Sequence, residues 1–301
     1  MEKRQKTVTL VCDLLMAVVF CISVTALLYP IIFDRLNDRE QQQTIVSYDN
    51  RVAKMDPEER ARLLAEAEEY NEMLRQRPLR IRQTEEQMAD YLARFNVGDD
   101  GIIGHLTIPC IDVDLMIYHT VEEPVLQVGS GHLPGTSFPI GGKGTHAVLS
   151  GHRGLTTAAL FTDLDRMVEG DKFYVSVLDD VLTYQVDQIK TVLPNETSDI
   201  AIDPEMDYCT LLTCTPYGIN SHRLLVRGHR VPTDRALNED GSYGSYVIEA
   251  PPEVRTGPPM EEIMAVAGAV LLGIAAVRFG RTVRNTMKKR NTGQEPPEQW
   301  Q

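Results

Sequence analysis

The stretch YCTLLTCTPYGINSHRLLVRGHRV, residues 208–231, decides how this chain is read. Two apolar runs, Tyr208 to Cys214 and Arg223 to Val231, flank a segment of Thr, Pro, Gly, Asn and Ser, and short apolar runs bounded by turn residues read as strands. A hairpin-like return through that segment brings the Arg223 guanidinium beside Cys214. Cys209 and Cys214 lie five apart on the first strand, so their side chains point to opposite faces and cannot readily bridge. Cys214 stands where the strand passes into a loop, the kind of position at which reactive groups are displayed.

Further toward the N-terminus the same punctuation recurs. Ile102 to Pro109, Val113 to His119 and Thr145 to Ser150 are apolar or alternating runs, and Lys172 to Leu178 with Val181 to Leu193 reads as a hairpin around Asp179-Asp180. One brief helix fits Glu123 to Gln127. The spacing predicts a mainly-β domain over residues 101–231, a compact antiparallel barrel or sandwich.

The segment before it, residues 34–100, reads as a helical stalk and lid region. Asp56-Pro57-Glu58-Glu59 has the form of a helix start, with a capping Asp, Pro at the first helical position and acidic residues in the positive first turn. Leu63, Ala67, Tyr70 and Leu74 then share one face, and Met88, Leu92 and Phe95 form a second stripe within Glu85 to Phe95. Gly98-Asp99-Asp100-Gly101 closes that piece with a turn.

Charge distribution supplies the topology. Leu14 to Phe33 is free of charge, and at ~1.5 Å per residue it spans the ~30 Å core of a bilayer. No small-residue cleavage site follows it, so it reads as a retained anchor. A second apolar run, Ile263 to Val277, is shorter; Pro258, Pro259 and Met260 extend it on one side and a basic cluster from Arg278 to Arg290 on the other, giving a second span over 261–279. Basic residues before the first span and after the second place both termini in the cytoplasm. Residues 1–13 carry +1 and 278–301 carry +4, which leaves −18 of the net −13 on the segment between them. The expected order is a cytoplasmic N-terminus (1–13), a transmembrane helix (14–33), the helical region (34–100), the β domain (101–231), an acidic Pro/Gly-rich tether (232–260), a transmembrane helix (261–279) and a basic cytoplasmic tail (280–301).

The composition excludes some functions. A net charge of −13 disfavours binding to nucleic acid, which demands a surplus of cations. Five cysteines leave at least one without an intramolecular partner. No pair of histidines has zinc-site spacing within a Cys/His cluster, so neither metal nor cofactor is expected. Cys110 and Cys209 read as buried thiols or as a disulfide if their strands are adjacent. A cysteine nucleophile needs a nearby base or cation and a group to stabilise an oxyanion. His152, which ends the strand-like run from His146, and Arg223 are the candidates. His105, His119, His132, His146, His222 and His229 compete as bases, and from spacing alone Cys214 could equally be an inert strand thiol.

Thr210 to Gly218 (TLLTCTPYG), Asn220 to Gly228 (NSHRLLVRG), Gly131-His132 with Thr136-Ser137, Gly141 to Leu155 (GGKGTHAVLSGHRGL) and Leu160 to Leu164 (LFTDL) together resemble the sortases, above all the class C, pilin-polymerising group. The resemblance runs from about Gly101 to Val231. It implies an eight-stranded β-barrel with short helices and a membrane-anchored cysteine transpeptidase, a thiol peptidase acting on the outer face of a Gram-positive cell. Cys214 would be the nucleophile that cleaves an LPXTG-like sorting signal between Thr and Gly through a thioacyl intermediate, His152 the general acid/base, and Arg223 the residue that positions substrate and stabilises the oxyanion. The acceptor would be an amine, usually a pilin lysine. The alternatives are a housekeeping-type sortase that joins surface proteins to a cell-wall peptide, and a non-enzymatic, membrane-tethered scaffold for pilus assembly. Class C members usually carry an Asp-Pro-aromatic lid motif. Here Arg77 to Phe95 contains none, and Asp90-Tyr91 is the nearest partial equivalent.

Overall fold

The structure is a computed structural model of the 301-residue chain, which describes residues 2–77, 79, 81–155, 158–237, 243–251, 253–256, 268, 275 and 278. The chain divides into two compact units, residues 1–31 with 258–301, and residues 32–257. Helix α1 (Glu2–Ala53) continues unbroken through the expected first span, with Val18, Val19, Phe20 and Ile22 exposed. The side chains of residues 1–17, 27, 30, 31 and 34 lie outside the description. Among the described residues no helix is long and apolar enough to cross a membrane. Of the expected second span, 261–279, only residues 268, 275 and 278 are described, and the basic tail, 280–301, lies outside the described residues.

Eight strands close into a barrel in the second unit: β1 (Ile102–Ile108), β2 (Val113–His119), β3 (Ser130–His132), β4 (Thr145–Ser150), β5 (Lys172–Val177), β6 (Asp180–Val192), β7 (Asp207–Thr215) and β8 (His222–Val231). Their order around the barrel is β1-β2-β3-β4-β7-β8-β6-β5, with β5 pairing back to β1. The expectation of an antiparallel arrangement needs correction, because β2 pairs with β3 and β4 with β7 in parallel. Parallel neighbours require a crossover between them, and the connections after β2 and after β4 are long enough to make one. Three-residue β3 was not among the expected strands; it is too short to show a period.

Alternation along the strands separates two apolar sets. Leu149, Leu211, Cys209, Val226, Phe173 and Val175 belong to the main core, whereas Val148, Val192, Ile200 and Leu225 form a separate small cluster. Successive side chains on a strand point to opposite faces, so the small cluster lies on the outer surface of β4, β7 and β8.

The region expected as a stalk is helical and packs on the barrel, because its apolar stripe needs a surface to cover it. Helix α2 (Pro57–Arg75) is capped by Asp56, whose side chain accepts from the Glu58 amide, and it buries Leu63, Ala67, Tyr70 and Asn71. Helix α3 (Glu85–Ala93) starts with a reciprocal Thr84/Gln87 capping box. Phe138 is stacked on Tyr91 and packed at a tilt against Tyr70 and Phe95 between helices and barrel, and buried Asn71 is satisfied by both backbone groups of Phe138 (2.7 and 3.2 Å). The end of α1 joins in through Tyr48, whose hydroxyl donates to Ile103 O (3.3 Å) and accepts from the Leu178 amide (2.9 Å) at the β5–β6 turn. A fourth helix, α4 (Glu123–Leu126), bridges β2 and β3 where the sequence predicts one.

The first part of the expected tether is exposed but not free. It forms a small hairpin, β9 (Arg235–Leu237) with β10 (Tyr243–Tyr246), and then follows the barrel, where Glu249 pairs with Lys172 (2.8 Å) and Arg255 pairs with Asp171.

Candidate active site

Strand register brings the three predicted site residues together. On β7 and β8, Cys214 lies directly opposite Arg223. On β4 and β7 every pair from Thr145↔Asp207 to Ser150↔Leu212 keeps the same offset, and carried two residues further this register brings His152 level with Cys214. The pairing persists beyond the strand: the Gly151 amide donates to Leu212 O (3.1 Å), and Thr213 Oγ1 donates to Gly151 O (2.8 Å). Cys214 and Arg223 are thus paired on β7 and β8, with His152, two residues past the end of β4, level with them in one row at this end of the three adjacent strands. Ser150, Leu212 and Leu225 form the next row, about 7 Å away.

Each member has a distinct setting. Cys214 is partly exposed, next to the last residue of β7, where the chain leaves the sheet through a cis Thr215–Pro216 peptide. Arg223 Nη1 donates to Asn220 O (3.2 Å) and His222 O (3.1 Å), so backbone carbonyls around the start of β8 hold the guanidinium at this end of the barrel. Among the described residues no carboxylate pairs with it, which leaves its charge for an incoming anion or dipole. His152 Nε2 lies 3.2 Å from both oxygens of Glu123, the first residue of α4. The Glu123 carboxylate also accepts from Gln127 Nε2 (3.2 Å), and Gln127 first and His152 second hold it below the usual carboxylate range.

The segment after His152 is anchored by its neighbour. Arg153 is nearly buried; its guanidinium donates to Thr162 O (3.2 Å) and Thr215 Oγ1 (3.3 Å), pairs with Asp165 and lies over the Tyr217 ring at 5.9 Å. Arg153 therefore ties the residue after His152 to the residue after Cys214. Gly154 adopts φ +81°, a conformation that favours glycine, where the chain passes the Tyr217 ring.

The competing groups are accounted for elsewhere. His132 and His146 are buried, and burial lowers them to about 3 and about 4; His119 is lowered for the same reason. His105 lies between Asp49 and Asp114 on the far side of the barrel sheet from β7, and His229 faces Asp187. His222 pairs with Thr215, one position from the row, and contacts Ser221 (2.9 Å). Cys110 and Cys209 are free buried thiols, and among the described residues no group of His, Cys, Asp and Glu is arranged to hold a metal. Asp90-Tyr91 does not serve as a lid: Asp90 pairs with Arg94, and Tyr91 is fully buried against His132. Leu79 and Ile81, between α2 and α3, pack instead on the outer cluster, as Leu212 does.

The chain is similar to crystalline sortase C1 of Streptococcus agalactiae, with 46% identity, a TM-score of 0.62, and coverage of 64% of this chain and all of that one. The chain belongs to the sortase family. The sortase domain model matches residues 106–231, the barrel from β1 to β8. Sortase C-1 of Streptococcus pneumoniae is similar at 45% identity and a TM-score of 0.56, covering 63% of this chain and 98% of that one. Sortase A of Listeria monocytogenes is 28% identical over 145 residues, 48% of this chain, and the match spans 63% of that relative's length. Sortases are cysteine transpeptidases, and the residue types in the row are those their acyl transfer requires.

Three features of this sortase site escaped the sequence reading. In sequence Glu123 is a residue of a brief helix without a visible partner, Arg153 is the neighbour of His152, and Leu79 and Ile81 carry no signal. Each depends on contacts between segments far apart in sequence, 29 positions for Glu123 with His152 and 62 for Arg153 with Thr215, which no local period reports.

Proposed function

We propose that this sortase is a membrane-anchored transpeptidase that cleaves an LPXTG-like sorting signal between Thr and Gly and passes the acyl group to an amine. The observation that carries this reading is the single row of His152, Cys214 and Arg223. Cys214 attacks the Thr carbonyl as thiolate; Arg223, paired with no carboxylate among the described residues, faces the oxyanion that develops there; His152 gives its proton to the departing Gly amine. The product is a thioester on Cys214 and a neutral imidazole, the form that later takes a proton from the acceptor. The charge-free stretch 14–33 in α1, with its exposed apolar side chains, supports a membrane anchor, with 261–279 as a second span, both termini cytoplasmic and the barrel outside the cell.

The similarity to two class C enzymes over nearly their whole length favours a pilin lysine as the acceptor. The curated relatives named sortase A keep wall-peptide attachment as the second reading. The test is full-length protein in detergent, incubated with a sorting-signal peptide and either a pilin domain or a wall-peptide amine. The native protein is expected to form a covalent acyl adduct detectable by mass and to transfer it to the pilin. Cys214→Ala is expected to lose both. Preferred transfer to the wall peptide would reassign the acceptor, and polymer formation by Cys214→Ala would make the barrel a scaffold instead.

A further inference from the structure

The row has a direction. His152 on the β4 side and Arg223 on the β8 side flank Cys214, so the two halves of a scissile bond are distinguished by what faces them. The leaving amine must lie on the His152 side, because that imidazole protonates it. By microscopic reversibility the entering amine occupies the same place. At neutral pH an alkylamine arrives as an ammonium ion and must shed protons before it can attack.

Beyond His152, on the side away from Arg223, stands Glu123. It belongs to α4, which leads into β3, the neighbour of β4. Its side chain is 64% exposed and therefore accessible to a solute, while both oxygens remain 3.2 Å from His152 Nε2. In the loop after His152, Asp165 pairs with Arg153 and Asp163 with Arg166. Among the described residues Glu123 bonds only to His152 and to the uncharged Gln127. A negative group unmatched by Lys or Arg, touching the base that must deprotonate a cation, has the chemistry of a receptor for that cation.

We infer that Glu123 is the docking residue for the acceptor ammonium, holding it against His152 while the thioester waits on Cys214. The inference rests on the reading of the chain as an amine-transferring sortase. The ammonium displaces the imidazole from the carboxylate and gives one proton to neutral His152. Its nitrogen lone pair attacks the thioester carbon, and the C–S bond breaks as the amide C–N bond forms. The second ammonium proton leaves to solvent, and the site returns to Cys214 thiolate with protonated His152. Water, which is uncharged, gains nothing from Glu123, so the carboxylate biases the thioester toward transfer over hydrolysis.

The test is that bias. Full-length protein in detergent is given a sorting-signal peptide and Nα-acetyl-lysine amide as acceptor, and the ratio of transferred to hydrolysed product is measured for native protein, Glu123→Gln and Glu123→Asp. The ratio cancels any effect on thioester formation. In Glu123→Gln it is expected to fall about fivefold at subsaturating acceptor, the scale of one exposed ion pair, with much of it restored in Glu123→Asp and less difference at high salt. With hydroxylamine, uncharged at neutral pH, the two proteins are expected to give equal ratios. An unchanged lysine ratio, even with a slower overall reaction, would confine Glu123 to orienting His152 and overturn the docking role. An equal loss with hydroxylamine would also overturn it. A native protein that forms no thioacyl species overturns the transfer reading itself.

Discussion

Cys209 and Cys214 stand five positions apart on β7 and differ in everything that governs thiol reactivity. Cys209 faces the main core, and burial pushes its thiol well above the ordinary range; Cys110, also buried, is raised to about 11. Neither supports a thiolate at neutral pH. Cys214 is partly exposed and opposite a guanidinium that no described carboxylate neutralises. Arg223 is therefore the residue whose exact form should matter. Its planar fork engages two backbone carbonyls with Nη1 and still presents other N–H groups, whereas a lysine ammonium is a point donor on a flexible stem. Arg223→Lys should keep the fold and lower kcat/KM for peptide cleavage by about 10²- to 10³-fold, the range found when an oxyanion donor is removed. Steady-state cleavage alongside a thermal melt checks this; near-native cleavage would remove Arg223 from the transition state.

At the scale of elements, the site is a property of β4, β7 and β8 lying side by side. The strand-to-loop position of Cys214, the return to Arg223 and the end of the His146 run could be read from turn residues and apolar runs, because those are local signals. The parallel β4–β7 pairing that levels His152 with Cys214 could not, since a parallel register depends on a crossover rather than a turn. The cover over the outer cluster was equally hidden. Leu79 and Ile81 pack on the cluster of Val148, Val192, Ile200 and Leu225, whose member Leu225 lies in the row next to that of Cys214, by burial of aliphatic groups and without the aromatic residue of the familiar lid motif. Two partly buried aliphatic side chains contribute about 2 kcal/mol together, enough to keep an uncovered form at a few per cent. Leu79→Ser with Ile81→Ser should speed labelling of Cys214 by a bulky thiol reagent by roughly tenfold or more in full-length protein. Equal labelling rates would show that these residues fill the outer cluster without restricting the cysteine.

Two buried histidines join the helices and long loops to the barrel, and they give the whole barrel unit a pH dependence that can be worked out in sign. His146 Nδ1 faces the Ala201 carbonyl (2.9 Å), which only accepts, so that nitrogen carries the proton and Nε2 accepts from Thr210 Oγ1 (2.7 Å). His132 Nε2 likewise donates to Ser137 O (2.8 Å), leaving Nδ1 to accept from the Tyr91 hydroxyl (2.9 Å) of α3. Protonating either ring would desolvate a charge and turn an accepting nitrogen into a donor with a hydroxyl hydrogen against it. Burial accordingly lowers these groups from 6.5 to about 4 and about 3. Above pH 6.5 both rings are neutral folded or unfolded, and they contribute no slope. Below it the unfolded chain binds protons that the fold refuses, so stability falls as pH drops toward about 4, by about 1 kcal/mol per pH unit for each group. The full-length protein in detergent should hold a constant melting temperature from pH 8 to pH 7 and lose it steadily toward pH 5. His146→Gln, which can still donate to Ala201 and accept from Thr210 but cannot take up the proton, should melt lower at pH 7.5 and show a shallower decline. A variant whose decline matches the native one would place the acid sensitivity in other groups.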